Sequence, residues 1–468
     1  MEGTNVAKTL LIYSDGTGQA GGLRPDQRLS NIYKLYRATR PGPDSSVDPS
    51  EQVAFYDPGL GTISDAGGVR LNALDKLLAV FGLATGMGIT ENIIDCYLAI
   101  LKHYRPGDRI CLFGFSRGAY TARCVAGVLR LCGVPTHDGT GAQLPTDGPQ
   151  LRKIAREAVV HVYERRLVTS ANEKMSASDA AAVAFRAKYD SNGEDDASSN
   201  AAPAFIGAFD TVAALGARGW RLAGVVAAMS IVIALFSVVA ARIVNLLLPG
   251  LPYRTMAIGG FVVIGLYLGL KLFNARWKAR GYDLSLDPRT GYARHARAID
   301  ETRAAFDVVG WGHSEDVGSQ HREHGPWLVQ LWFSGNHSDI GGSYSEDESR
   351  LSDITLGWMI GELALRVPAS FDWTKLNVCG ASDGLQHCEV QNSKEVWWRP
   401  TWRSKDRTID PKAPLHSSVL ERLALPSVPH CRGWKPYRPA ALQDHVAASR
   451  CHGSLNSNAE KEPANISV

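Results

Sequence analysis

Residues 110–123 read ICLFGFSRGAYTAR, and no other stretch limits the possible folds of this chain as strongly. Ile110, Cys111, Leu112 and Phe113 lead into Gly114-Phe115-Ser116-Arg117-Gly118, and a segment rich in Ala, Val and Leu continues to Cys132. The pattern predicts a buried strand, a sharp turn with a serine at its apex, and a helix. So tight a turn wants small residues two positions before and after the serine. It lifts the serine Oγ above the carboxyl edge of a sheet and points the N-terminus of the new helix at it. The five-residue pattern alone is weak, because with 46 glycines in 468 residues roughly 0.3 chance matches are expected. A strand-to-helix connection with a capping serine is the plainer alternative.

The rest of the chain supplies a context. Short β-like runs lie at 9–14, 52–56, 204–209 and 328–333, and each ends in small or polar residues such as Asp15-Gly16-Thr17 or Asp210-Thr211. Helical spacing marks 89–103, 154–167 and 351–367. Strands alternating with helices predict an α/β fold with a mostly parallel sheet flanked by helices. Residues 191–202 (SNGEDDASSNAA) read as a mobile loop, and 441–468 as a polar, disordered tail. Hydrophobic content of 45% and charged content of 21% are globular values. With 50 basic and 47 acidic side chains, nothing points to nucleic acid as a partner. None of the eight cysteines forms a C-x-x-C pair, which argues against metal and disulfide frameworks and for a reducing compartment. The N-terminus lacks the basic and apolar regions of a signal peptide.

An apolar hairpin interrupts the pattern. Residues 222–241 are 20 residues without a charge, about the length that spans a hydrocarbon core. Residues 256–270 are a second, shorter uncharged stretch, which would need Lys271 to snorkel. The chain therefore divides into 1–217, an inserted hairpin at 218–280, a second part of the same domain at 281–440, and the tail. Two membrane-spanning helices are the leading expectation, and a buried hairpin or apolar lid the alternative. Arg218, Arg221, Lys271, Arg276, Lys278 and Arg280 flank the open ends against Arg242 and Arg254 at the tip, which predicts a two-pass membrane protein with its globular part on the cytoplasmic side.

A serine hydroxyl attacks an ester only when a base takes its proton and an acid orients that base. Chain order Ser, then Asp, then His at strand ends suits an α/β-hydrolase, and Ser116, Asp210 and His337 meet it. Asp210 could instead only cap a helix, and His337 could be a structural loop histidine. His416 competes with His337 as the base. His295, His313, His321 and His324 lie in charged or glycine-containing surroundings and read as surface residues. The backbone amides of Gly16, Thr17 and Arg117 are candidates for an oxyanion hole, with a plain β-turn at 15–17 as the alternative. Asp15 and Asp339 are candidate supporting acids. No tight ligand pattern joins the acids and histidines, so neither metal nor cofactor is expected.

Taken together, these motifs resemble the DUF2235 family of α/β-hydrolases, the catalytic domain of Tle1-type phospholipase effectors of type VI secretion. The resemblance rests on residues 13–17 (YSDGT), 30–38 (SNIYKLYRA), 56–62 (YDPGLGT), 114–123 (GFSRGAYTAR), 209–216 (FDTVAALG), 332–344 (WFSGNHSDIGGSY), 352–360 (SDITLGWMI) and 415–422 (LHSSVLER). It departs from the family where Gly18-Gln19 replaces W-N after D-G-T, and where Phe209 replaces a tryptophan. The resemblance implies Ser116 as nucleophile, Asp210 and His337 as its acid and base, and hydrolysis of carboxylic esters, with phospholipids as the substrate class. Three roles follow as expectations: a membrane-anchored lipid esterase, a catalytically silent membrane-tethered interaction protein on the same scaffold, and a secreted antibacterial effector.

Overall fold

The computed structural model of the chain describes residues 7–19, 21–22, 28–59, 88–145, 148–166, 171–195, 197–212, 220–248, 250, 252–276, 285–312, 321–394, 402–431 and 433–448. Its centre is a six-stranded sheet of β1 (Thr9–Ser14), β2 (Gln52–Asp57), β3 (Arg109–Phe115), β4 (Phe205–Phe209), β5 (Tyr292–Ala298) and β6 (Leu328–Phe333). The order is β2-β1-β3-β4-β5-β6 and every pairing is parallel. The chain moves outward from β1 to β2, returns to β3 and then proceeds the other way. That reversal between β1 and β3 opens a crevice at the carboxyl ends of the strands, where ligands of open α/β sheets bind.

Both faces of the sheet are covered, which explains why β1, β3 and β4 read as mainly apolar runs. On one face Ile12, Ile110, Leu112 and Ile206 meet α2 (Ile89–His103), α3 (Arg117–Cys132) and α4 (Gly148–Arg156), with its π-helical continuation Glu157–Tyr163. On the other face Leu11, Tyr13, Phe113, Phe205 and Phe333 meet α1 (Asn31–Thr39) and, later in the chain, α9 (Arg350–Ala364). A third cluster of Ile299, Trp332, Val419, Leu423, Tyr437, Leu442 and Ala448 closes the β6 edge. The tail boundary expected at 441 therefore falls inside packed structure, since Leu442 and Ala448 are buried there and only residues beyond 448 lie outside those described.

Two further expectations are corrected. Strand β5, YARHARA, has too many cations to be read as a strand, yet it lies between β4 and β6. Its basic side chains each find a partner. Arg294 donates to the carbonyls of Pro326 (3.0 Å) and Trp327 (3.1 Å) and pairs with Glu362. Arg297 donates to the Gln330 carbonyl (2.9 Å) and lies over the Trp332 ring. His295, expected at the surface, is 0% exposed, and burial holds its imidazole well below the usual range. His321 and His324 are exposed, and His313 lies outside the described residues. The 191–202 segment, expected to be mobile, is tied to α3: the Ser191 hydroxyl donates to the Cys132 carbonyl (2.6 Å) and the Ser199 hydroxyl to that of Leu129 (2.7 Å). Short hydroxyl side chains make these bonds, and composition alone does not reveal them. Helix α5 (Ala171–Tyr189) precedes this segment.

The hairpin consists of α6 (Trp220–Leu247) packed against α7 (Tyr253–Arg276). Only Met229–Leu247, 19 residues with mean hydropathy 2.2, is long and apolar enough to cross a membrane among the described residues. Only 17% of that window is buried, and Ile231, Leu235, Val239 and Leu246 are exposed. The second apolar helical stretch, Tyr253–Tyr267, is shorter, so of the two helices expected to span a membrane only the first has the length and composition for it. Arg218, Lys278 and Arg280, three of the charges behind the expected orientation, lie outside the described residues.

Gly114 and Gly118, the glycines of the elbow that β3, Ser116 and α3 form, set how closely α3 approaches the sheet. A Cβ on Gly118 would overlap the carbonyl oxygens of Ser14 and Asp15, and one on Gly114 the carbonyl of Gly118. These neighbours are backbone and cannot rotate aside. Gly118→Ala should therefore lose about 2 kcal/mol or more in urea denaturation. Wild-type stability in that variant would contradict the close packing.

Candidate active site

Ser116 follows β3 directly and adopts φ 59° and ψ −120°, a left-handed conformation that costs a serine energy and persists only where its surroundings impose it. Its N–H donates to the Phe209 carbonyl (3.0 Å), which fixes the turn to the end of β4. Asp210 follows at once, also at positive φ (39°) and fully buried, with its N–H on the Ala296 carbonyl (2.8 Å). His295 Nε2 accepts the next N–H, that of Thr211 (3.2 Å), so the basic strand β5 helps hold the end of β4.

His337 opens α8 (His337–Gly341), whose N-cap is Asn336. The Asn336 side chain accepts from the N–H groups of Ser338 and Asp339 (both 2.9 Å), and Asp339 returns the favour to the Asn336 N–H (3.0 Å). This capping box fixes the first turn and the imidazole it carries. His337 Nδ1 lies 2.6 Å from Asp210 Oδ2. A carboxylate accepts, so Nδ1 carries the proton and Nε2 is left as an acceptor. Nε2 is buried and has no hydrogen-bond partner among the described residues. The His337 ring is flanked by Phe115 (centroids 4.6 Å apart) and Phe306 (5.1 Å), and Phe115 is the residue before Ser116. The end of β4 and the start of α8 thus bring Asp210 and His337 into hydrogen-bond contact, and Phe115 and the Phe209 carbonyl set Ser116 beside them, without a hydrogen bond from Ser116 to Nε2.

Electrostatics at the pair run in opposite directions. Burial pushes the Asp210 carboxyl up, but the Arg407 charge and the hydrogen bonds from His337 and Arg407 outweigh it and hold the carboxyl well below the usual range. Burial lowers the His337 imidazole, and the Asp210 contact offsets this only in part. Glu301 accepts the His337 N–H (3.2 Å) and pairs with Arg303 (2.7 Å). Arg407, Glu301 and Phe306 escaped the sequence reading. They lie in polar connections whose composition carries no signal, and only strand order brings them to the site.

The remaining expected residues divide. The Gly16 N–H donates to its own neighbour, Asp15 Oδ1 (2.7 Å), so this amide holds the turn. Thr17 Oγ1 accepts from Arg117 Nε, which joins the loop after β1 to the residue after Ser116. A Cβ on Gly16 would lie 3.5 Å from Ser116 Cβ, which places this loop beside the serine. Asp15 Oδ2 accepts from Ser30 (2.5 Å) and Tyr56 (2.7 Å) and so organises the loop and the start of α1. Asp339 accepts from His387 Nδ1 (2.7 Å) and makes its bonds locally rather than to His337. His416 is the N-cap of α10 (Ser417–Ala424): its Nδ1 accepts from the Ser418 N–H (3.3 Å), and its ring stacks on Phe333 at 4.5 Å.

Residues 8–362 match the family model described as "T6SS, Phospholipase effector Tle1-like, catalytic domain". The chain belongs to this family. A 130-residue stretch is 34% identical to an uncharacterised protein of Saccharomyces cerevisiae, covering 27% of this chain and 18% of that protein. Among solved structures, an uncharacterised protein from Pseudomonas aeruginosa aligns over 80% of this chain and 48% of its own, with 19% identity and a TM-score of 0.35. A Tle1 effector bound to the VgrG spike of the type VI secretion system aligns over 74% and 53%, with 18% identity and a TM-score of 0.30. The chain thus spans about half the length of these solved relatives, and the Tle1-like match lies in the part that contains the elbow and His337.

Next to the site, Asp15 and Asp57 form a buried acidic pair, with the Asp15 N–H on the Asp57 carbonyl (3.0 Å). Burial pushes Asp15 up to about 6 and Asp57 up to about 7, although Ser30 and Tyr56 donate to the first and Asn92 and Ser14 to the second. Folded values above the ordinary 3.8 mean that the folded chain binds protons more tightly than the unfolded one. The pair therefore costs stability above about pH 7, and the cost fades as pH falls towards 4. Asp57→Asn should raise the melting temperature at pH 8 by about 2 °C or more, with a smaller gain at pH 5. An equal gain at both pH values would contradict the assignment.

Proposed function

We propose that the chain is a serine hydrolase that cleaves carboxylic esters of phospholipids through Ser116, His337 and Asp210, in an α/β-hydrolase-type arrangement. The observation that carries this reading is the buried 2.6 Å contact between His337 Nδ1 and Asp210 Oδ2 beside a serine held at positive φ. His416 is tied to its helix cap, which favours His337 as the base.

In this reading Ser116 Oγ attacks the ester carbonyl carbon while His337 Nε2 takes its proton. Asp210 stabilises the imidazolium that forms, and the Nδ1 proton stays in place. The carbonyl oxygen becomes an oxyanion facing the backbone amides of Thr17 and Arg117, with Gly16 holding the turn through Asp15. His337 then returns the proton to the leaving alcohol, and an acyl-enzyme remains. Water, deprotonated by His337, attacks the acyl carbon, and the proton passes back to Ser116 as the fatty acid leaves. Neither metal nor cofactor enters these steps.

The hairpin supports a lipid substrate. An apolar helix with most of its surface uncovered, inserted in a domain of the Tle1-like phospholipase family, suits an enzyme whose substrate resides in a bilayer. Family membership favours an effector delivered onto a target membrane, with the hairpin as its means of insertion, over a resident two-pass membrane protein. Fractionation of the producing cells separates the two, because an effector leaves the cell and a resident enzyme stays in its membrane.

With purified protein and phosphatidylglycerol-containing vesicles, Ser116→Ala should lower fatty-acid release by about 10³-fold or more without changing the circular dichroism spectrum. Full residual activity would sink the proposal. Because burial lowers the His337 imidazole, the base stays neutral to lower pH than a free histidine. The acid limb of kcat/KM should therefore lie below the ordinary value of 6.5. A limb above that value would show that His337 is not the controlling base.

A further inference from the structure

We infer that Arg407 is a positioning residue of the reaction: it holds Asp210 in its charged form, aims it at His337, and keeps the Asp210–His337 pair free of an extra proton at working pH. The inference rests on the serine-hydrolase reading above and assigns a part to a residue that touches neither serine nor base.

The geometry is a two-pronged fork. Arg407 Nη1 lies 2.5 Å from Asp210 Oδ1, and Nη2 lies 2.9 Å from Oδ2. The Ala298 N–H donates to the same Oδ1 (2.9 Å), and His337 Nδ1 meets the same Oδ2. The carboxylate plane is thus fixed, and Oδ2 is left with one direction for the imidazole. The guanidinium is itself anchored, since Nη1 also donates to the Ala298 carbonyl (2.8 Å) and Nη2 to the Phe306 carbonyl (2.9 Å). Phe306 is one of the two rings flanking His337, so the fork also holds one wall of the base. Both charged side chains are buried. A lysine could supply the charge but not two parallel bonds in one plane.

The other charged and titratable groups facing the pair do not duplicate this role. Glu301 and Arg303, from the connection after β5, pair with each other beside His337. Arg297 on β5 acts on Asp210 only through space and spends its hydrogen bond on the Gln330 carbonyl. His295 on β5 is buried and bonded to the Thr211 N–H. Among the described residues, Arg407 is the one permanent cation hydrogen-bonded to Asp210.

Its removal has a definite sign. Without the neighbouring cation the pair binds a proton at higher pH, whether that proton sits on the carboxylate or on the imidazole. Either form is inactive, because the base is occupied or its orienting charge is gone. The experiment measures pH profiles of kcat and KM on a soluble chromogenic carboxylic ester for wild type, Arg407→Gln, Arg407→Lys and Ser116→Ala. Arg407→Gln should move the acid limb upward by about one pH unit or more. Arg407→Lys, which keeps the charge and loses the fork, should leave the limb in place, lower kcat by about tenfold or more, and leave KM unchanged within about twofold. A folded Arg407→Gln protein with the wild-type limb overturns the inference. Should that variant not fold, Arg407→Lys decides: a wild-type kcat, or a loss confined to KM, overturns it. Full activity in Ser116→Ala would instead remove the hydrolase reading itself. Inactive Ser116→Ala with unaltered Arg407 profiles would remove only the part assigned to Arg407.

Discussion

A single buried carboxylate, Asp210, joins the segments that build the site. It stands at the end of β4, accepts an N–H from the end of β5, meets the imidazole at the start of α8, and is gripped by Arg407 from a connection almost two hundred residues away in sequence. A buried charge of this kind is tolerated only when it is paired and its lone pairs are filled. Both conditions hold here, which makes the arrangement costly to disturb from any side. Loss of one partner would leave the others facing an uncompensated charge, so the geometry is coupled and not assembled piecemeal.

The elbow solves a separate problem. Ser116 must stand at positive φ with α3 starting at once behind it, and the helix must come close enough for its backbone to touch the end of β1. Gly114 and Gly118 make that approach possible. The same approach brings the loop after β1 beside the serine, where Asp15 fastens it to Ser30 and Tyr56. The strained serine and the packing of the loop after β1 against it therefore depend on the same close approach.

Much of this was legible in the sequence, for reasons that differ from element to element. Strands β1, β3 and β6 are buried on both faces or nearly so, and their mainly apolar runs mark β1 and β6 at their observed limits and β3 to within two residues. The elbow announces itself through its glycines. Strand β5 was not legible, because Arg294, His295 and Arg297 violate every apolar pattern while finding individual partners in the folded chain. Arg407 was invisible for a related reason: an arginine in a polar loop looks like solvent-facing charge until the strand order brings Asp210 to it. The hairpin was legible as apolar helices, but its second helix proved too short in apolar length to match the first.

The central claim is that Ser116 is an activated nucleophile, and the most direct measurement is reaction of the detergent-solubilised protein with a fluorophosphonate, followed by mass spectrometry of the modified peptide. An ordinary serine hydroxyl does not react with such a probe, whereas one deprotonated by a neighbouring base does. The account expects a single adduct on Ser116, formed in the wild type and lost when His337 is replaced by alanine. A folded wild-type protein that carries no adduct, or carries it on a different serine, would contradict it.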